Sequence, residues 1–435
     1  MQKIKIGDVL DVKRGASLSG DYYAKEGKYV RLTLGNFNYP GGGFKENTSK
    51  SDIYFVGPIK PEFILNEGDI ITPLTEQVSG LLGETATIPE GGKYIQSGDI
   101  GLVIPDETKL DKRFAYYLIS SPIVKKQLDA AAQQTKIRHT SPDAIKACEA
   151  WIPEDISVQA SIGRLLDSIN EKIANNTAIC SDLESMAKLL YDYWFVQFDF
   201  SDENGRPYKS SGGKMVWNEE LKREIPEGWK VKHLLDCVSK GKNAIVDGPF
   251  GTQMKIGEYV DSGVPIYEME QLNGLFIVEE PKHFITEEKY TEVQRSTVKN
   301  GDVVISKTGT LGLLGLVEST HEKGIIVSRL AKITPNPDII GKFALLIFLK
   351  EIAESGYWLK VCGGSTMPIL NNGTIGAVPI VVPDDNKYQI FEEMVSSSFD
   401  RIHILQRENQ ELASLRNFLL PMLMNGQVKV GKAGA

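Results

Sequence analysis

One passage is written twice in this chain. Residues 68–77 read GDIITPLTEQ, and residues 301–310 read GDVVISKTGT. GLLG follows each, at 80–83 and 312–315, and KRFAYYLI at 112–119 answers GKFALLIF at 341–348. Ile145 and Pro153 bracket seven residues, as Ile375 and Pro383 do, and LLDSI at 165–169 answers SFDRI at 398–402. The offsets run from 229 to 233. Five matches in one order at a nearly constant offset indicate tandem duplication, and the small drift is what loop insertions and deletions produce. The alternative is two unrelated domains that share common strand and helix patterns. A duplicated chain must fold as two like units, each with its own core, and 435 residues are enough for two or three domains.

Each half opens with about 150 residues of short strands and Gly-rich turns. Runs such as GDIIT, IGLVIP, GDVVIS and GIIVSRLAKITP are β-branched and bounded by Gly or Pro. One short helix is expected around DKRFAYYLISSPIVKKQLDAAA and its counterpart. A long helix then runs from about Val158 to Tyr191. In it Ile162, Leu166, Ile169, Ile173, Asn176, Cys180, Leu183, Ala187 and Leu190 fall at alternating steps of four and three. That heptad pattern requires a second long helix as partner. The candidate runs from about Gln389 to Leu420, with a less regular stripe of Val395, Phe399, Ile402, Leu405, Asn409, Leu412, Leu415 and Leu419, and Pro421 and Gly426 mark its end. Asn176 and Asn409 interrupt the two stripes at an offset of 233. A polar residue in such a seam fixes register at a cost in stability, unless each Asn points to the solvated edge. The expected architecture is α/β (α+β). It has a globular unit at 1–152, a long-helix region at 153–200, a Gly/Ser/Pro-rich linker at 201–228, a second globular unit at 229–382, a C-terminal long-helix region at 383–426 and a tail at 427–435. With a pseudo-two-fold axis, the helices run antiparallel and hold the units apart.

Several function classes have no support. Cys148, Cys180, Cys237 and Cys362 are far apart in sequence, which argues against a metal knuckle or disulfide framework. There is no signal-peptide core and no apolar run of spanning length, so a cytoplasmic protein that meets no membrane is expected. The chain lacks G-x-x-x-x-G-K-[ST] and G-x-S-x-G motifs. His139, His233, His283, His321 and His403 have no ligand spacing, so no metal is expected. PDDNK at 383–387 fits a helix cap better than a nuclease cluster. No Asn or Asp stands before Pro-Pro and an aromatic, as a methyltransferase would require. A duplicated chain with no legible catalytic centre suits binding something bipartite, and duplex DNA is the obvious candidate.

The net charge of −8 opposes that only globally, since a binding face needs only local basic excess. Lys125–Lys146 and Lys230–Gly257 each carry five basic and two acidic residues. The candidate DNA contacts in the first unit are Lys13, Arg14, Arg31, Asn36, Lys136, Arg138 and His139, with Asn38, Gln133 and Gln134 beside them. In the second they are Gln253, Lys255, Lys307, Thr308 and Arg329. These side-chain types pair with phosphates and base edges. A tandem scaffold for carbohydrate or peptide, and a stand-alone nuclease or methyltransferase, are the rival readings.

At this point the chain resembles the specificity subunits of type I restriction-modification systems. The resemblance rests on TKIRHTSPDAI in the first unit and on DGPFGTQMKIGEYVDSGVPIYEMEQL, GDVVISKTGTLGLLGLV and STMPILNNGTIGAVPIVVP in the second. It extends through IGRLLDSINEKIANNTAICSDLESMAKLLYDYWFVQFDF and NGRPYKSSGGKMVWNEELKREIPEGW between them. It implies two target recognition domains, each reading one half of a bipartite, asymmetric DNA site, with an antiparallel coiled coil setting the spacer. It also implies a non-catalytic chain that docks two methyltransferase subunits and two restriction (translocase-nuclease) subunits. S-adenosylmethionine, ATP and Mg would then belong to those partners, and no cofactor to this chain.

Overall fold

The repeated Gly-Asp pair is a turn with a specific geometric need. Gly68 and Gly301 stand at φ +78° and +89°, in the left-handed region that a Cβ disfavours. The next residue closes the turn. Asp69 Oδ2 accepts the Asn66 N–H at 2.8 Å, and Asp302 Oδ2 accepts the Lys299 N–H at 2.9 Å. Each turn feeds a strand, Ile70–Pro73 or Val303–Ser306, that is buried along its whole length. A short unbroken apolar run bounded by turn signals is the sequence form of such a strand.

The computed structural model describes residues 1–428 except 40, 77–78, 132–137, 240–243, 279, 320 and 363–367. The chain divides into two units, Met1–Ile173 with Glu411–Ala435, and Ala174–Gln410. In the first, an antiparallel sheet has the order Leu10–Arg14, Ile100–Pro105, Ile70–Pro73, Ala86–Thr87. Gln2–Lys5 pairs with Glu149–Ile152, just before the first long helix. A second sheet ends in a parallel pair, Tyr29–Arg31 with Tyr94–Ile95. The second unit repeats each feature. Its sheet order is Ile245–Asp247, Leu330–Ile333, Val303–Ser306, Leu314–Leu316. Lys230–His233 pairs with Pro379–Val382, and Val264–Tyr267 runs parallel to Ile325–Ile326.

The duplication reaches single hydrogen bonds. Leu74 N–H donates to Asp99 O as Lys307 N–H donates to Arg329 O, both at 2.8 Å. Thr140 N–H donates to Leu74 O at 2.9 Å, and Leu370 N–H to Lys307 O at 3.0 Å. Gly15 N–H reaches Ile100 O at 3.1 Å, and Gly248 N–H reaches Leu330 O at 3.2 Å. Shared strand patterns alone would not reproduce these partners, so the halves are copies of one module.

The helices depart from the sequence reading in three places. Two helices, Lys112–Ile119 and Pro122–Ala131, replace the single short one, because Pro122 has no N–H to continue the ladder. The counterpart is also split, into Lys342–Glu354 and Tyr357–Val361. The first long helix spans Ile156–Tyr191 and runs into a π turn at Asp192–Val196. The second spans Lys387–Met424, with Pro421 inside it rather than at its end. Beyond that proline, Leu423 and Met424 are buried in the core of the first unit, and their burial offsets the missing hydrogen bond. Gly426, at φ +72°, ends the segment.

Within each unit the two long helices run antiparallel. In the first, Ile162 and Leu166 share a core with Leu423 and Met424. In the second, Cys180, Ala187 and Tyr191 share one with Leu405, Ile402, Phe399, Val395, Phe391 and Tyr388. Leu415, expected in the stripe, is exposed. Residues 201–228, read as a linker, contain a hairpin of Met215–Asn218 with Arg223–Pro226. Phe200 at the segment's start stacks on Trp229 with centroids 4.9 Å apart, and Tyr208 stacks on Phe200 at 4.7 Å. Aromatic burial ties the segment into the second unit.

Candidate nucleic-acid interface

The loops that leave the first strand of each four-stranded sheet are pinned at their roots. A Cβ added to Gly248 would lie 2.1 Å from Val327 O, and one added to Gly15 would lie 2.3 Å from Ser97 O. Only glycine permits so close a backbone approach. The scaffold is therefore the same in both units, and the side chains on it differ. Arg14 occupies the position of Asp247, and Leu74 the position of Lys307, by strand register and by the shared hydrogen bonds.

Three of the candidate contacts are buried. Lys307 is only 7% exposed, and its ammonium is ion-paired with Asp247. It clamps the sheet rather than meeting a ligand. Arg31 is equally buried, with its guanidinium 3.7 Å from the centroid of the Tyr23 ring and Nη2 donating to Asp52 O at 3.2 Å. Asn36 is buried, accepts the Thr33 N–H at 2.9 Å and donates to Lys45 O at 3.2 Å. Gln271 does the same turn-closing work in the second unit, accepting the Glu268 N–H at 2.7 Å. Both amides are structural, and the polar sequence around them gave no sign of it.

The other candidates are more accessible. Lys13, Arg14, His139, Gln253, Lys255 and Arg329 are exposed, and Thr308 is half-buried. Arg14 Nη2 donates to Thr140 O at 3.4 Å, which brings the end of the first strand to the residue after His139. Arg138 is held between Asp129 at 2.6 Å and the buried Glu76 at 2.9 Å. Glu76 also accepts the Gly80 and Leu82 N–H groups. Lys136, Gln133 and Gln134 lie outside the described residues. Asp247 and Glu76, which organise these cations, were not singled out from sequence; each lies about 60 residues from its partner, and no local pattern links them.

The two seam asparagines come together in the second unit. Asn176 Nδ2 donates to Asn409 Oδ1 at 3.0 Å and to Glu408 Oε2 at 2.8 Å, and Asn409 Nδ2 donates to Thr177 Oγ1 at 3.1 Å. Among the described residues, no group of three or more His, Cys, Asp or Glu side chains could hold a metal ion, and no helix is long and apolar enough to cross a membrane.

Two copies of one scaffold with pinned loops, carrying different side chains at equivalent positions, define a recognition protein built from two like modules. The chain belongs to the type I restriction-modification family, whose sequence model for the "Type I restriction modification DNA specificity domain" matches residues 1–185 and again 226–414. Among curated proteins it is similar to the type I restriction enzyme MjaIX specificity subunit of Methanocaldococcus jannaschii, 27% identical over 335 residues, covering 75% of this chain and 71% of the relative. The type I restriction enzyme HindI specificity subunit of Haemophilus influenzae is 21% identical over 335 residues, covering 66% and 70%. Among solved structures, the type-I restriction-modification system S subunit from M. genitalium shares the fold, with a TM-score of 0.54, 17% identity, and coverage of 97% of this chain and 96% of that one. These relatives match the DNA-specificity reading and not the carbohydrate- or peptide-binding alternative.

Proposed function

We propose that the chain is the DNA-specificity subunit of a type I restriction-modification complex and that each unit reads one half of a bipartite, asymmetric duplex site. The observation that carries this is the pairing of one sheet order and shared backbone hydrogen bonds with different exposed side chains. Arg14 and His139 stand on one copy, and Gln253, Lys255 and Arg329 on the other. Different side chains on one frame would read different bases. Lys13, Thr308 and Lys136 belong to the same proposed contact set, as does Arg138, which is ion-paired with Glu76 and Asp129. Lys307, Arg31 and Asn36 hold the frame.

Chemistry then belongs to partners: two methyltransferase subunits that use S-adenosylmethionine, and two restriction subunits that use ATP and Mg. An exposed apolar stripe in the second unit supports docking of the methyltransferase. Ile179, Met186 and Leu189 are exposed and fall within about a quarter of the helix circumference at ~3.6 residues per turn, and Tyr193 in the π turn that follows is exposed as well. Such a stripe on a soluble protein marks an interaction face.

The test mixes the purified chain with its methyltransferase and maps methylated adenines on genomic DNA. Methylation confined to a two-part sequence with an unread gap is expected, and no methyl transfer by the chain alone. Methylation without a two-part motif, or methyl transfer by the chain alone, would contradict the proposal.

A further inference from the structure

The loop of the second unit from Gly248 to Glu258 exposes apolar side chains that packing would ordinarily bury. Phe250 is 62% exposed and Ile256 is 83% exposed. The loop is nevertheless ordered from both ends. Gly248 and Pro249 are buried at its root. Gln253 N–H and Met254 N–H both donate to Phe250 O, at 2.7 and 3.1 Å, and Gln253 Oε1 accepts the Phe250 N–H at 3.1 Å. Met254 is buried among Val264, Ile266, Ile285 and Ile325. Lys255 N–H donates to Glu258 Oε2 at 2.6 Å, which closes the far end. A Cβ added at Gly251 or Gly257 would meet nothing within 4 Å, so the apex stands clear of the fold.

The charges around the loop favour a polyanion. The carboxylates at its two ends are both ion-paired, Asp247 with Lys307 and Glu258 with Lys289. Lys255 on the loop and Arg329 beside its root are exposed. Two residues beyond the pinned glycine, the first unit has Ser17 where the second has Phe250, so this apolar feature belongs to one half only.

We propose that Phe250, supported by Ile256, is a specificity-determining apolar contact of the second unit. It would press against a base step of the DNA and open its stacking, with Lys255 and Arg329 on the flanking phosphates. Apolar wedges on proteins unstack flexible steps in this way, and the cost depends on the sequence being deformed. The inference rests on the DNA-specificity reading above.

The test uses the full chain assembled with its methyltransferase and a duplex carrying the methylated site, with 2-aminopurine placed in turn at each adenine of the second half and its neighbouring steps. Apart from the methylated adenine, which the methyltransferase itself flips out of the stack, the wild type should raise fluorescence at one step. Phe250→Ala should abolish that rise and weaken binding about tenfold, Ile256→Ala should weaken binding less, and Phe250→Leu should retain part of both signals. The half-site read by the first unit should be methylated as before. Wild-type affinity and fluorescence in both alanine variants would overturn the wedge while leaving the DNA reading intact. Loss of methyltransferase assembly without altered DNA binding would also overturn it, because the loop would then face a protein. Absence of any specific DNA binding by the wild type would overturn the DNA reading itself, and the wedge with it.

Discussion

Replacing Asn176 with alanine removes a buried amide that reaches two partners on the opposite helix. Asn176 is 1% exposed, and its Nδ2 donates to Glu408 Oε2 at 2.8 Å and to Asn409 Oδ1 at 3.0 Å. The bond to the carboxylate belongs to the charged class, worth about 1.5–3 kcal/mol, and the amide–amide bond to the neutral class, worth about 0.5–1.5 kcal/mol. The expected local loss is therefore about 2–4.5 kcal/mol, less whatever an entering water restores. Because the chain has two units, local hydrogen exchange is a better gauge than a global melt. Amides around 172–184 should lose protection by roughly 30-fold or more. Asn175→Ala, one residue away and exposed, should change little. The double variant Asn176→Leu with Asn409→Leu should recover part of the protection, since an apolar pair replaces the amide pair, while Glu408 and Thr177, which each lose an amide donor, are not buried and can turn to water. If Asn176→Ala and Asn175→Ala were indistinguishable, the pair would contribute nothing, and register would rest on the apolar seam alone.

Lys255→Ala and Arg329→Ala should weaken DNA binding. The salt slope falls by about one for each lost phosphate contact, or discrimination falls by roughly 1–3 kcal/mol at one position if a base is read. Equilibrium titrations across salt concentrations measure both. Lys307→Met should instead lower the thermal stability of the second unit by leaving Asp247 without its cation, with the methylated sequence unchanged in whatever fraction stays folded. Burial, with Asp192 nearby, pushes the Glu351 carboxyl up to about 7 despite the Lys188 ammonium 2.5 Å away. Its folded value lies above its ordinary 4.5, so its contribution to stability is present below about pH 4.5 and is lost as pH rises through 7. Glu351→Gln should therefore gain on the wild type between pH 5 and pH 8, read as the difference in melting temperature; a constant difference would refute the assignment. Phe399→Ala removes a buried ring stacked on Phe343 at 4.1 Å and should cost the second unit about 3–5 kcal/mol, measured by denaturant titration.

The duplication was legible because the features that recur in sequence are those the backbone cannot change. Gly68 and Gly301 must take positive φ, and Asp69 and Asp302 must close the same turn. The helix seam was legible for the same kind of reason, since a seven-residue apolar repeat has few other uses. What sequence could not show was which polar residues the fold consumes. Lys307, Arg31 and Asn36 look like surface groups until Asp247, Tyr23 with Asp52, and Thr33 with Lys45 are brought to them. Segment 201–228 read as a linker by composition, and its Gly, Ser and charged residues did not show that Tyr208 and the flanking Phe200 and Trp229 pack it down. Pro421 misled because a helix terminator yields where the residues beyond it are buried, as Leu423 and Met424 are.

The central claim is that the two units read DNA separately. The most direct measurement replaces residues 1–152 with the equivalent unit of another family member, assembles the chimera with the methyltransferase, and sequences the methylated adenines. One half of the methylated motif should change to that of the donor, and the other half should stay as in the parent. A motif changed in both halves, or in neither, from a folded and active chimera would contradict the account.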